Sequence, residues 1–283
     1  MSNDNRENNA IFTADAAQRA GFQARNVLKD DFGLEIPVES IPLPSGGKVY
    51  SADSALYGKE SIEIRAMTAK EEDILTSRAL IKKGTVITEL IKSCLIDKTI
   101  DVDEMIAGDR NAIMTALRIT GYGSEYNVEV DCPNCGGRSK HDFQLSELPI
   151  NYLEENPIAE GANLFEFSLP VSKKKIHFKF LNGKDETEIA VAQERRKKQG
   201  MKSDNLITTR LQYAIVAVEE ITDKNKINTF IRSMPARDSL ALRRFIDSAE
   251  PGIEMKAWMD CPHCDESSEV NLPLGASFFW PES

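Results

Sequence analysis

Cys132-Pro133-Asn134-Cys135 and Cys261-Pro262-His263-Cys264 are the stretches from which this chain is best read. They supply four of its five cysteines, and each pair is spaced so that two thiolates grip one ion. A tetrahedral Zn²⁺ takes four soft or borderline ligands at about 2.3 Å, and two such knuckles fill it completely. With sulfur at every position none is left open for water or substrate, so the spacing predicts a structural staple made by one Zn²⁺. Its ligands are Cys132, Cys135, Cys261 and Cys264. Two disulfides and a thioredoxin-like redox pair are the alternatives. Against the first, Met1 to Asn9 is polar and no apolar run reaches the roughly 18–20 residues of a membrane span, which argues for a reducing compartment. Against the second, both motifs follow predicted strands and neither opens a helix within a βαβ unit. Cys94, in the apolar segment from Val86 to Ile96, is expected in the core.

Working outward, the knuckles end a longer repeated pattern. At a fixed offset of 129, Asp109 matches Asp238, Ala112 matches Ala241, Gly123 matches Gly252, Glu125 matches Glu254 and Asp131 matches Asp260. Ile113, Ala116 and Leu117, like Leu242, Phe245 and Ile246, fall at helical spacing. Gly123 and Gly252 are read as helix stops. Tyr126, Val128 and Val130, like Met255, Ala257 and Met259, alternate as strands do. Upstream the offset is 114. Ile62-Glu63-Ile64-Arg65 leads through Thr68 and Glu71 into a helix, as Ile176-His177-Phe178-Lys179 leads through Asn182 and Asp185. Thr68 with Glu71 forms a capping box. The second copy thus carries 15 extra residues, at least partly in Arg195 to Ser203. Each copy reads strand, helix, helix, helix, strand, knuckle.

The composition is that of an ordinary globular chain, with 41% hydrophobic and 28% charged residues. A formal net charge of −10 gives no counterion release from DNA or RNA and argues against a nucleic-acid partner. Three histidines, without a metalloprotease spacing, leave little material for acid–base catalysis. Gly121-Tyr122-Gly123 is no dinucleotide fingerprint, and no phosphate loop or nucleophile elbow occurs. The carboxylate pairs Glu71-Glu72, Glu154-Glu155 and Glu219-Glu220 read as surface charge. Lys173 to Lys175 read as a hairpin tip between strands Leu164–Leu169 and Ile176–Leu181. A zinc-ribbon nucleic-acid factor draws support from Arg138, Lys140 and His141 beside the first knuckle. Asp265, Glu266 and Glu269 beside the second oppose it.

A succession of short motifs carries a resemblance. Leu43-Pro44-Ser45-Gly46-Gly47, Ile64-Arg65-Ala66-Met67-Thr68, Gly108-Asp109-Arg110 and Gly121-Tyr122-Gly123 precede the first knuckle. Leu181-Asn182-Gly183-Lys184-Asp185-Glu186, Met234-Pro235-Ala236-Arg237-Asp238-Ser239, the second knuckle and Phe278-Phe279-Trp280-Pro281 follow. In this order they resemble the T4-type baseplate hub family of contractile-tailed bacteriophages, from about residue 41 onward. The resemblance implies a non-enzymatic part in the central hub of the tail baseplate, as a structural subunit or as an assembly factor absent from the finished virion. It also implies contacts with hub or wedge proteins, assembly in the host cytoplasm and a final place in the virion tail.

The expected fold is therefore α+β, two pseudo-repeated strand–helix–strand halves joined by one four-cysteine zinc-ribbon-like site. Residues 1–40 are expected as a flexible arm, with Ala14 to Leu28 able to form a short helix. Residues 41–158 and 159–283 are expected as two halves that fold as one unit. Phe278, Phe279 and Trp280 place large apolar surface in a short tail, which either folds back on the core or anchors a partner. No nucleic acid and no membrane insertion are expected.

Overall fold

The computed structural model describes residues 26–29, 33, 35–198, 205–274 and 276–279. Strand β1 (Asn26–Lys29) pairs antiparallel with β2 (Glu35–Pro42), and β2 with β3 (Ser61–Arg65). In β3 the period of two is plain: Ile62 and Ile64 face the core while Ser61 and Glu63 face out. Helices α1 (Ala69–Thr76), α2 (Arg78–Lys83), α3 (Val86–Cys94) and α4 (Ala107–Tyr122) follow. Then β4 (Glu125–Asp131) and β5 (Arg138–Gln144) form a hairpin whose tip is the first knuckle.

The second stretch repeats this order with additions. After β6 (Ile150–Asn151), strands β7 (Phe165–Ser168) and β8 (Lys175–Phe178) make a hairpin. Next come α5 (Gly183–Lys198), α6 (Leu206–Ala214) and β9 (Ile215–Val218), which joins the edge of β8. Helices α7 (Lys224–Ser233) and α8 (Ala236–Ala249) lead to β10 (Gly252–Ile253), paired with β6. The hairpin of β11 (Lys256–Asp260) and β12 (Ser267–Asn271) carries the second knuckle. All these strand pairs are antiparallel, so helix and strand content is mixed as an α+β fold requires.

One hydrophobic cluster runs from Ile41 to Phe279 and holds residues of nearly every element. Helix α4 is its axis, buried on all sides from Gly108 to Ile119 except at Asn111. A helix so enclosed must satisfy its polar side chains internally, since an unpaired buried polar group costs ~1–3 kcal/mol. Arg118, 1% exposed, donates from Nε to the Phe278 carbonyl (3.0 Å), from Nη1 to Gly123 (2.6 Å) and from Nη2 to Glu125 (2.8 Å). At its N-terminal end, α4 meets β10 backbone to backbone: a Cβ on Gly108 would lie 1.6 Å from the Pro251 carbonyl oxygen. Only a residue without a side chain fits there.

Four expectations are corrected. Residues 1–40 are not an arm throughout, because Asn26–Lys29 and most of Glu35–Pro42 are strands, held by alternation and by pairing to β3. The helix anticipated over Ala14 to Leu28 gives way at its end to β1, and its residues 14–25 lie outside the described ones. Gly252 is not a helix stop. Helix α8 ends at Ala249 before Glu250 and Pro251, and Gly252 is a strand residue against Gly108. Each stretch holds four helices where three were expected, and a strand follows each knuckle; α7 and β9 make up part of the extra length.

Candidate metal centre

Both knuckles close in the same way. Cys132 N–H donates to the Gly137 carbonyl (2.9 Å) and Gly136 N–H to Cys132 (2.8 Å). Cys261 N–H donates to Glu266 (3.1 Å) and Asp265 N–H to Cys261 (2.9 Å). The residue after the second cysteine is left-handed in each, Gly136 at φ 72° and Asp265 at φ 57°. Glycine adopts that region freely, and aspartate is among the few side chains that tolerate it. The tight turn aims both thiols of a pair to one side.

The two hairpin tips then meet. Cys132 Sγ lies 3.9 Å from Cys264 Sγ, and Cys135 Sγ lies 3.7 Å from Cys261 Sγ. All four sulfurs lie within 4.8 Å of one another. Sulfurs about 2.3 Å from a central ion stand roughly 3.8 Å apart in a tetrahedron, so the cluster has the size of a four-thiolate metal site. Cys132 and Cys261 are buried, Cys264 is half-buried and Cys135 is exposed. The backbone supports the sulfurs, with Gly137 N–H 3.3 Å from Cys135 Sγ. His263 Nε2 stands 3.1 Å from the Arg138 carbonyl, which fastens one tip to the other without using a ligand position.

Crowding at the cluster splits the acidities of Cys132 and Cys135. The Cys135 and Asn134 backbone N–H groups draw the Cys132 thiol down to about 6, against the opposing effect of burial. Cys135 is pushed the other way, to about 12: the Gly137 N–H favours its thiolate, but the neighbouring atoms' displacement of water and hydrogen bonds with the other three cysteines outweigh it. The Cys132 thiolate forms easily and Cys135 resists following, which is the condition a divalent cation relieves.

Cys94, the last residue of α3, is fully buried, and burial raises its thiol to about 12. Phe278 and Phe279 are both 0% exposed, folded back against Tyr126 (ring centroids 5.2 Å from Phe278) and over Arg118. A partner meets them only if the tail leaves the core. Trp280 lies outside the described residues. Lys173 is at the tip between β7 and β8, as the lysine run predicted.

Two bracing contacts occur at matched sequence offsets. Asp109, fully buried in the first turn of α4, accepts from Ser45 N–H (3.0 Å), Ser45 Oγ (2.6 Å) and Tyr50 Oη (2.5 Å). Its match Asp238, also fully buried, accepts from Val171 N–H (2.7 Å) and Ser172 N–H (2.9 Å). Each carboxylate thus holds the turn that follows a Leu-Pro pair, Leu43-Pro44 or Leu169-Pro170. The aspartates were visible at the fixed offset, but their role was not; the paired Leu-Pro was the missed signal. Likewise Arg65 bonds Glu71 (2.6 Å) where Lys179 bonds Asp185 (2.6 Å), both at the offset of 114. Arg118 and Trp258 were also missed, and no local pattern marks either.

The antiparallel α+β scaffold thus brings four thiols from two distant hairpins into one cluster compatible with a metal ion. The chain belongs to the T4 bacteriophage base plate protein family, which matches residues 38–280. No curated protein and no solved structure matches it. Among the described residues no helix is long and apolar enough to cross a membrane.

Proposed function

We propose that the chain is a non-enzymatic structural subunit of the central hub of a contractile-tailed phage baseplate. One structural Zn²⁺ held by Cys132, Cys135, Cys261 and Cys264 staples it, in a zinc-ribbon-like site. The observation that carries the metal reading is the spacing of the sulfurs, 3.7 and 3.9 Å across the two knuckles. Thiolate softness favours Zn²⁺ over hard cations, and the four sulfurs leave no place for a reacting water. The baseplate reading rests on family membership over residues 38–280. The paired Asp109 and Asp238 braces and the two matching knuckle turns support an origin by duplication, each half giving two ligands. Two open cavities, of about 350 and 390 Å³, have their charged groups engaged with protein, as with Tyr57 on Glu160 (2.8 Å) and Lys59 on Asp97 (2.8 Å). That suits a scaffold better than acid–base catalysis. Partners are the neighbouring hub or wedge proteins, and the site of action is the virion tail.

Quantitative mass spectrometry of purified virions beside partly assembled baseplates tests the subunit reading. The expected result is stoichiometric recovery from virions; recovery from intermediates alone would make the chain an assembly factor instead. For the metal, elemental analysis of the purified chain should give one zinc per molecule. Cys132→Ser and Cys261→Ser should each lose it together with most soluble yield, because structural zinc contributes on the order of 10 kcal/mol in small domains. Full stability without metal would overturn the staple.

A further inference from the structure

Trp258 is 70% exposed, the most exposed of the large hydrophobic side chains among the described residues. It stands on β11 three positions before Cys261, where the β11–β12 ladder holds its backbone. Its ring shares the outward face with Lys256 and Asp260 on the same strand, and the register sets Glu269 directly opposite. Lys256 is taken by Glu254 (3.2 Å) and Asp260 Oδ1 accepts from Ser267 Oγ, so the carboxylates flanking the indole are Glu269, directly opposite, and the second oxygen of Asp260. The matching position of the first hairpin holds Glu129, so this aromatic face belongs to the second hairpin alone.

We propose that the outward face of β11–β12 is a docking surface for an arginine-bearing segment of a neighbouring protein. The inference rests on the reading of the chain as a baseplate subunit and names the chemistry of one of its contacts. A guanidinium is planar and weakly hydrated; it stacks on an indole face while its edge bonds a carboxylate, here Glu269 or Asp260. An ammonium is more strongly hydrated and does not present that flat fork. A second copy of this face is a poor occupant, since Asp260 and Glu269 would oppose their own like charges. An anionic membrane is repelled by the same two groups. A rigid, exposed tryptophan ringed by charge also has the composition of an interface hot spot.

The test uses a fluorescein-labelled glycine–serine peptide with three spaced arginines, beside its lysine and citrulline counterparts. Each is titrated at low salt, by anisotropy, against the full chain and its Trp258→Ala and Glu269→Gln variants. The arginine peptide should bind the parent chain at least about 5-fold tighter than the lysine peptide, and the citrulline peptide should not bind. Trp258→Ala should erase the preference for arginine while leaving the weaker lysine binding in place, and Glu269→Gln should weaken arginine binding about 3-fold. Equal binding of arginine and lysine by the parent chain, or an arginine preference that survives Trp258→Ala, would overturn the proposal. Either outcome leaves the subunit reading standing, because the protein composition of virions decides that one separately. Trp258→Ala should unfold at the parent's denaturant midpoint, so a changed preference is not a folding defect.

Discussion

Glu71 permits a quantitative prediction about the first half. Its carboxylate is fully buried and collects five donors: Arg65 Nη2 (2.6 Å) and Nη1 (3.0 Å), Thr68 Oγ1 (2.7 Å) and N–H (2.9 Å), and Ser93 Oγ (2.5 Å). Burial alone would push its pKa up. The hydrogen bonds from Arg65, Ser93 and Thr68 outweigh it and bring the group from 4.5 down to about 2. At ~1.4 kcal/mol per pH unit, that difference is about 3 kcal/mol of stability at pH 7. The folded pKa is the lower one, so the contribution is complete above the unfolded value and is lost as pH falls toward the folded value. At pH 3 roughly 1.4 kcal/mol remains. Glu71→Gln, which keeps the shape but not the charge, should therefore cost about 3 kcal/mol at pH 7 and about half that at pH 3. Urea unfolding of parent and variant at both pH values measures it, and taking the difference cancels the groups they share. A cost that is the same at both pH values, or below about 1 kcal/mol at pH 7, would refute the charge-assisted account of this brace.

Gly108→Ala should yield little soluble protein, because the new methyl has only the Pro251 carbonyl to occupy; expression and a thermal melt decide it. Asp238→Ala leaves the Val171 and Ser172 amides without an acceptor and should cost about 2–4 kcal/mol, with those two amide protons exchanging faster. Arg118→Met exposes three carbonyls to an apolar neighbour and should lower stability by about 3 kcal/mol in denaturant titration, part of the lost bonding being offset by relief of a buried charge.

The cysteine pairs were legible because metal ligation imposes spacing on the sequence itself, and the alternation of β3 and β4 because burial imposes a period. The knuckle hairpins, the lysine tip and both long helices before the knuckles follow from such local rules. What escaped was set by contacts between remote segments. Asp238 resembles any acidic residue in a helix's first turn until the turn at Val171 is folded against it. Gly252 looks like a helix stop until Gly108 packs on its Cα. Arg118 reads as a surface charge on a helix, yet its three acceptors are backbone carbonyls, which leave no trace in residue type. Phe278 and Phe279 were legible as apolar, but whether they turn inward depends on the hole beside Tyr126.

The bond from Arg118 to Phe278 spans 160 positions. At roughly 5–20 residues per second on the ribosome, the guanidinium is made about 8–30 s before the carbonyl that completes its shell. During that interval the arginine has only its two local acceptors, and the second knuckle is still unmade for most of it. The carbonyl that completes the Arg118 shell is thus translated long after the helix that carries the arginine. A chain broken off before Phe278 would keep the Gly123 and Glu125 acceptors and leave the Arg118 Nε–H without its third.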